Sequence, residues 1–141
     1  MPKESFAGVL EAIAFNADGL VPAIAQQHDT GEVLMQAWMN REAVTETLRT
    51  DRVCYWSRSR GGLWRKGETS GQVQRLVELR LDCDGDALLL LVDQTGVACH
   101  TGRRSCFFRA VRDGRLVEIA TPEIAPAVLY GGGKINDHRG E

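Results

Sequence analysis

With 141 residues and a formal net charge of -2, the chain is long enough for one domain with its own core and lacks the strongly basic face that general nucleic-acid binding requires. No apolar run reaches the length of a membrane-spanning helix, and no basic segment followed by an apolar one opens the chain, so neither a membrane anchor nor a secretory signal is expected. The expected compartment is the cytoplasm, where four cysteines point to metal binding or catalysis before disulfides.

Phe6, Val9, Leu10, Ile13 and Ala14 recur at helical spacing, which predicts a helix over 5–15 with Ser5 as its N-cap. Asn16-Ala17-Asp18-Gly19 breaks it. The apolar stretch 20–27 predicts a buried strand, His28-Asp29-Thr30-Gly31 a turn, and 33–38 the second strand of a hairpin. Asn40 is placed to cap a helix over 41–50, with Glu42 at the positive end of the dipole and Val44 and Leu48 as the buried stripe. Residues 53–59, β-branched and aromatic, predict a strand, and 63–72 a polar loop after Gly61-Gly62. Alternation over 73–83 predicts a half-buried strand with Val73, Val77, Leu79, Leu81 and Cys83 clustering by face. Asp84-Gly85 reads as a hairpin turn into the apolar run 87–92, a strand buried on both sides. Gln94-Thr95-Gly96 turns the chain into 97–100, strand 105–111 follows, and Asp113-Gly114 makes a further hairpin with 116–120. Thr121-Pro122 opens a short helix as cap and first helical residue. No repeat or linker divides the chain, so 1–141 reads as a single domain, with 130–141 a loose tail.

Chemistry concentrates after residue 80. Asp82, Asp84 and Asp86 alternate with Cys83 threaded between them; Cys99, His100 and Cys106 follow. Carboxylate oxygens suit hard cations such as Mg²⁺, while thiolate and imidazole suit zinc. By strand parity, Asp82 and Asp84 share one face and Cys83 takes the other, with the apolar residues. A turn accounts for Asp84 by itself. It does not account for three carboxylates, which repel one another until a cation neutralises them. Three thiolates on zinc leave a fourth position for water, the pattern of a catalytic site. His100 reads either as a ligand or as the base acting on that water. Cys54, on a predicted strand between Val53 and Tyr55, reads as a small buried hydrophobe.

A second cluster lies upstream. Ser57-Arg58-Ser59-Arg60 and Arg65-Lys66-Gly67-Glu68-Thr69-Ser70-Gly71 bracket Gly61-Gly62-Leu63-Trp64. Guanidinium forks, an ammonium, hydroxyls and glycine amides together suit a phosphorylated small molecule; the alternative is a solvated basic face. Trp64 is placed to stack on a heterocycle or to join the core.

The runs Tyr55-Trp56-Ser57-Arg58-Ser59-Arg60, Leu63 to Gly71, Asp82-Cys83-Asp84-Gly85-Asp86-Ala87-Leu88-Leu89, Ala98-Cys99-His100-Thr101-Gly102 and Ser105-Cys106-Phe107 together closely resemble the phosphoribosyl-AMP cyclohydrolases. Val33-Leu34-Met35 and Met39-Asn40-Arg41-Glu42-Ala43 add to the likeness, which spans roughly 20–111. The resemblance implies a metal-dependent hydrolase of histidine biosynthesis that opens the adenine ring of phosphoribosyl-AMP at N1–C6. It implies Mg²⁺ on Asp82, Asp84 and Asp86. It implies zinc on Cys99 and Cys106, with Cys83 donated by the partner subunit of a homodimer. Beside the resemblance, the residues' own chemistry leads us to expect His100 as the catalytic residue and Ser57, Arg58, Ser59, Arg60, Trp64, Lys66, Glu68, Thr69 and Ser70 as substrate contacts. The fold it implies is an intertwined homodimer of mainly β chains, each a partly open, barrel-like core with short helices at its edges. Gln72 stands where many such sequences carry histidine or asparagine. Two other readings stay open: a nucleotide zinc deaminase, although its His-x-Glu and Pro-Cys-x-x-Cys signature is missing, and a binding module stapled by structural zinc.

Overall fold

A computed structural model describes residues 6–129. The chain is mainly β. Helix α1 (Ala7–Ala12) leads into strands β1 (Val21–Gln27) and β2 (Val33–Met39), then helix α2 (Arg41–Thr50). Strands β3 (Cys54–Ser57), β4 (Gly62–Arg65), β5 (Gln74–Leu81) and β6 (Leu88–Gln94) follow, then the β7 (Arg109–Arg112) and β8 (Arg115–Glu118) ribbon and helix α3 (Pro126–Leu129). The main sheet has six strands in the order β4-β3-β2-β1-β6-β5; β1 and β6 run parallel and the other neighbours antiparallel.

This sheet curls until its ends meet. The segment before β3 reaches β5 through an Arg52–Arg75 bridge, with Val53 N–H on the Gln74 carbonyl at 3.1 Å and Leu76 N–H on the Asp51 carbonyl at 2.8 Å. Inside the curl, the Tyr55 hydroxyl donates to Gln74 Oε1 at 2.7 Å. A fully buried hydroxyl and amide each need a partner, and these two supply it to one another. The inner faces of β1 and β6 fill the core with Val21, Ala23, Ala25, Leu88, Leu90 and Val92. The result is the open barrel-like core expected.

Local chemistry sets several boundaries. The Asn40 side chain accepts the Ala43 N–H at 2.8 Å, so α2 begins at Arg41. It ends at Thr50 because Asp51 turns into the left-handed region, φ 61°. Val44 is buried as expected, but Leu48 is only half-buried; Thr47 takes the inner position, its hydroxyl pairing with the Cys54 backbone. Asp113 and Gly114 both have positive φ, 52° and 75°, the two-residue turn that matches strand twist.

Elsewhere the structure departs from expectation. Helix α1 stops at Ala12; the Ser5 cap lies outside the described residues, as does 130–141. Residues 62–65, expected as loop, form β4 against β3. A bulge between Leu76 and Glu78 resets the alternation of β5, so Leu76 points in and Val77 is exposed. Strand β6 alternates fully buried with half-buried residues, so only one of its faces is sealed. Residues 97–100 and 105–108 form no strand, and the last helix begins at Pro126, four residues after Pro122.

Strand β5 also ends at Leu81, so 82–87 is a turn. At its apex Gly85 has φ +75°, and its carbonyl accepts the Ala14 N–H at 2.7 Å. A Cβ there would collide with the Ala12 carbonyl oxygen. Gly85→Ala is therefore expected to cost ~1–3 kcal/mol of stability through backbone strain and collision. A thermal melt equal to wild type would show that the close seat of α1 on this turn is not rigid.

Candidate active site

A cavity of about 510 Å³ opens beside β2 and β4. Met35, Gln36 and Trp64 line it with Lys66, Gly67 and Ser70; Ala98, Cys99, His100, Thr101 and Cys106 form a further wall with Phe108 and Arg109. Trp64 is 5% exposed and lies 5.4 Å from the Tyr55 ring, so it is core with one edge on the cavity. The Lys66 ammonium sits 5.5 Å from the Trp64 ring and donates to the Ala98 carbonyl at 2.7 Å.

The thiol wall is carried by the irregular loop 95–106. Ala98 N–H bonds the Arg104 carbonyl at 2.9 Å and Cys99 N–H the Arg103 carbonyl at 3.1 Å, folding the loop into a narrow hairpin. Cys106 N–H then docks on the Leu34 carbonyl of β2 at 2.7 Å. These contacts bring Cys99 and Cys106 together. The hydrogen bond from Cys106 pulls the Cys99 thiol from 9.0 to about 5, against the opposing effect of burial, and the Thr101 hydroxyl donates to Cys99 Sγ at 3.0 Å. The same bond, with burial, holds Cys106 above its usual value. The two sulfurs thus titrate as a pair, one thiol's hydrogen bond favouring the ionised form of the other. Cys54 is different: burial pushes its thiol up to about 12, the inert core cysteine expected.

The acidic cluster is built by the β5–β6 turn. Asp82 N–H closes it on the Ala87 carbonyl at 3.1 Å, and Asp82 Oδ1 accepts the Asp86 N–H at 3.0 Å. Because this is a turn, strand parity does not place the side chains, and that expectation is corrected. The turn's wrap instead brings one oxygen each of Asp82, Asp84 and Asp86 within 4.8 Å of one another. Proton sharing with Asp84, then Asp82, raises the Asp86 carboxyl from 3.8 to about 6. Three exposed carboxylates crowded so closely that one of them loses its proton less readily than usual form a donor set that fits a hard divalent cation such as Mg²⁺.

Cys83 lies in this same turn, exposed, and is not on the cavity wall. Among the described residues, the aspartate trio is the one group of three metal-type ligands whose donor atoms gather within 4.8 Å; the three thiols do not gather, nor does His100 with Cys99 and Cys106. The seven residues of β6, about 23 Å at ~3.3 Å per residue, stand between the Cys83 turn and the Cys99 loop. Two sulfurs fit part of a zinc coordination shell and need further donors.

Of the residues expected to contact substrate, Trp64, Lys66 and Ser70 line the cavity. Ser57 is buried and its hydroxyl accepts the Arg60 N–H at 3.2 Å, with Ser59 Oγ at 3.3 Å, so it organises the β3–β4 turn. The Arg58 guanidinium stacks 4.8 Å from the Trp38 ring. Arg60, Glu68 and Thr69 are exposed and outside the lining. Gln36, Phe108 and Arg109 are cavity residues that no motif reading singled out. Gln72 also acts here: its Oε1 accepts the Val97 N–H at 3.0 Å and its Nε2 donates to the Ser70 carbonyl at 3.2 Å, joining two walls.

The family model for phosphoribosyl-AMP cyclohydrolase matches residues 35–108, a span that opens at Met35 and closes at Phe108 of the cavity. A phosphoribosyl-AMP cyclohydrolase of Rhodospirillum centenum is 73% identical over 129 residues, covering 89% of this chain and 97% of that protein. Another, of Granulibacter bethesdensis, is 73% identical over 124 residues, covering 87% and 97%. A third, of Alkalilimnicola ehrlichii, is 74% identical over 122 residues and covers 86% of each chain. With this cavity, these residues and these relatives, the chain belongs to the phosphoribosyl-AMP cyclohydrolase family.

Proposed function

We propose that this enzyme hydrolyses the N1–C6 bond of the adenine ring in 1-(5-phosphoribosyl)-AMP, in histidine biosynthesis, with a site completed between two copies of the chain. The observation that carries the reading is the Cys99–Cys106 thiol pair beside His100 on the wall of a cavity about 510 Å³ in volume. Cys99 and Cys106 would hold zinc with Cys83 of a second copy, and Asp82, Asp84 and Asp86 would hold Mg²⁺. When bound, zinc supplies water acidified toward neutral pH, and Mg²⁺ supplies charge for a phosphate.

The chain's residues do the rest. The substrate has a sugar on N1, so its purine ring is cationic and C6 is electrophilic. Addition of water forms a C6–O bond, the C6–N1 bond breaks, and N1 takes a proton. The His100 imidazole, on the cavity wall next to Cys99, moves that proton from water toward N1. The Thr101 hydroxyl steadies the Cys99 sulfur. Lys66 and Ser70 bind phosphate oxygens, with the arginines of the β3–β4 turn, Arg58 and Arg60, reaching the second phosphate. Phe108 and the Trp64 edge offer flat apolar surface to the base.

Ring opening is read by ultraviolet absorbance. Treatment with a chelator is expected to lower the rate ~100-fold or more, and zinc is expected to restore it. Ammonia release without ring opening would instead assign a deaminase. Full zinc content with no turnover of this substrate would assign a structural metal.

A further inference from the structure

Loop 95–106 carries both sulfurs without helix or strand to stiffen it. Its two ends are seated differently. The Cys106 end lies on β2, where the Ser105 hydroxyl donates to the Val33 carbonyl at 2.8 Å and Cys106 N–H to the Leu34 carbonyl. The Cys99 end follows Gln94 and is held by side chains: Gln72 Oε1 accepts the Val97 N–H at 3.0 Å, the Lys66 ammonium donates to the Ala98 carbonyl at 2.7 Å, and the brace to β1 and the β1–β2 turn comes from Arg104. Its Nη1 donates to the Gly96 carbonyl at 2.6 Å and the Gln94 carbonyl at 3.3 Å. Its Nη2 donates to Gln27 Oε1 at 2.9 Å, and its Nε to Glu32 Oε1 at 3.2 Å. The backbone carbonyl of the same residue accepts the Ala98 N–H. One residue thus ties the exit of β6 and the start of the loop to the end of β1 and to the β1–β2 turn.

We infer that Arg104 is a positioning residue for the Cys99–Cys106 pair: its guanidinium, fixed on Gln27 and Glu32, holds 94–98 at the distance from 104–106 at which the two sulfurs meet. Arg104 is absent from the cavity lining, so its influence passes through the loop. A planar fork with five donors is suited to this span. A lysine ammonium, a point charge on a flexible stem, cannot reach the Gly96 carbonyl, Gln27 and Glu32 together. The side chain is 25% exposed, so losing it leaves carbonyls poorly solvated and the loop free to open.

The inference rests on the proposed use of the thiol pair as donors, and the test separates the two. Metal-free protein is titrated with phenylarsine oxide, which bridges two neighbouring thiols, and the Kd is compared across variants. Arg104→Lys and Arg104→Gln are expected to bind it ~10-fold or more weakly, and Glu32→Gln, which keeps an acceptor oxygen but removes the charge of one exposed partner, ~2–3-fold more weakly. In the zinc-loaded enzyme Arg104→Lys is expected to lower kcat with KM nearly unchanged. If Arg104→Gln does not fold, Arg104→Lys and Glu32→Gln decide the matter. A folded Arg104→Lys that binds the arsenical as wild type does overturns the inference. Wild type that binds the arsenical tightly but neither takes zinc nor opens the purine overturns the proposed function and leaves the positioning role standing.

Discussion

Cys83→Ser and Cys99→Ser chains, each inactive alone, are expected to recover about a quarter of wild-type specific activity when they are unfolded together and refolded as a mixture. The reason is the placement of the sulfurs. Cys99 and Cys106 meet within one chain, whereas Cys83 stands in the turn at the entry of β6 and does not join them. A site that needs all three must draw Cys83 from a second copy. In a two-fold dimer of one mutant chain with the other, one site inherits both lesions and the other inherits neither. Random pairing makes about half of the dimers mixed, and each mixed dimer carries one of two sites, which gives about a quarter. Each variant by itself is expected to fall by ~10³-fold or more, because a serine hydroxyl is not a thiolate ligand. Zero recovery in a mixture shown to contain mixed dimers would mean that each site is built within one chain. The Asp82–Asp84–Asp86 trio shares the Cys83 turn, so a second copy that donates the sulfur brings the acidic cluster with it.

What could be read from the sequence divides along the range of the forces involved. Asn40 and Asp113-Gly114 were legible because capping and turn chemistry are local: an amide oxygen three residues from the amide it caps, a residue pair that tolerates positive φ. Val77 was misread because a bulge is invisible to an alternation count; Leu76 takes the inner position once the register slips. Strand β4 was hidden by Gly61-Gly62 and a polar sequence, and exists because β3 offers it an edge. The aspartates were identified as a cluster for a sound electrostatic reason, while the geometry imagined for them, a strand, was wrong. Lys66 and Ser70, expected to contact substrate, line the cavity, but Gln36, Phe108 and Arg109 do so only through tertiary folding that brings β2 and the start of β7 to one place. Arg104 carries no local signal of its role; its hold on Gln27 spans 77 positions of sequence.

His100→Ala is expected to lower kcat by ~10²–10⁴-fold while KM moves little and zinc content stays at the wild-type level. The residue is half-buried on the cavity wall, next in sequence to Cys99, and its ring nitrogens do not gather with the two sulfurs as a third ligand. That arrangement favours the second of the two roles the sequence left open, proton transfer over ligation. The proposed reaction demands such a group: in it water gives up a proton as it adds to C6, and N1 gains one as the ring opens. Without the imidazole both transfers would fall to solvent, which slows the chemical step and leaves the proposed phosphate contacts of Lys66 and Ser70 in place, so the loss is expected in kcat. Loss of zinc in the His100→Ala protein would reassign the residue as a ligand, and an unchanged kcat would remove it from the mechanism.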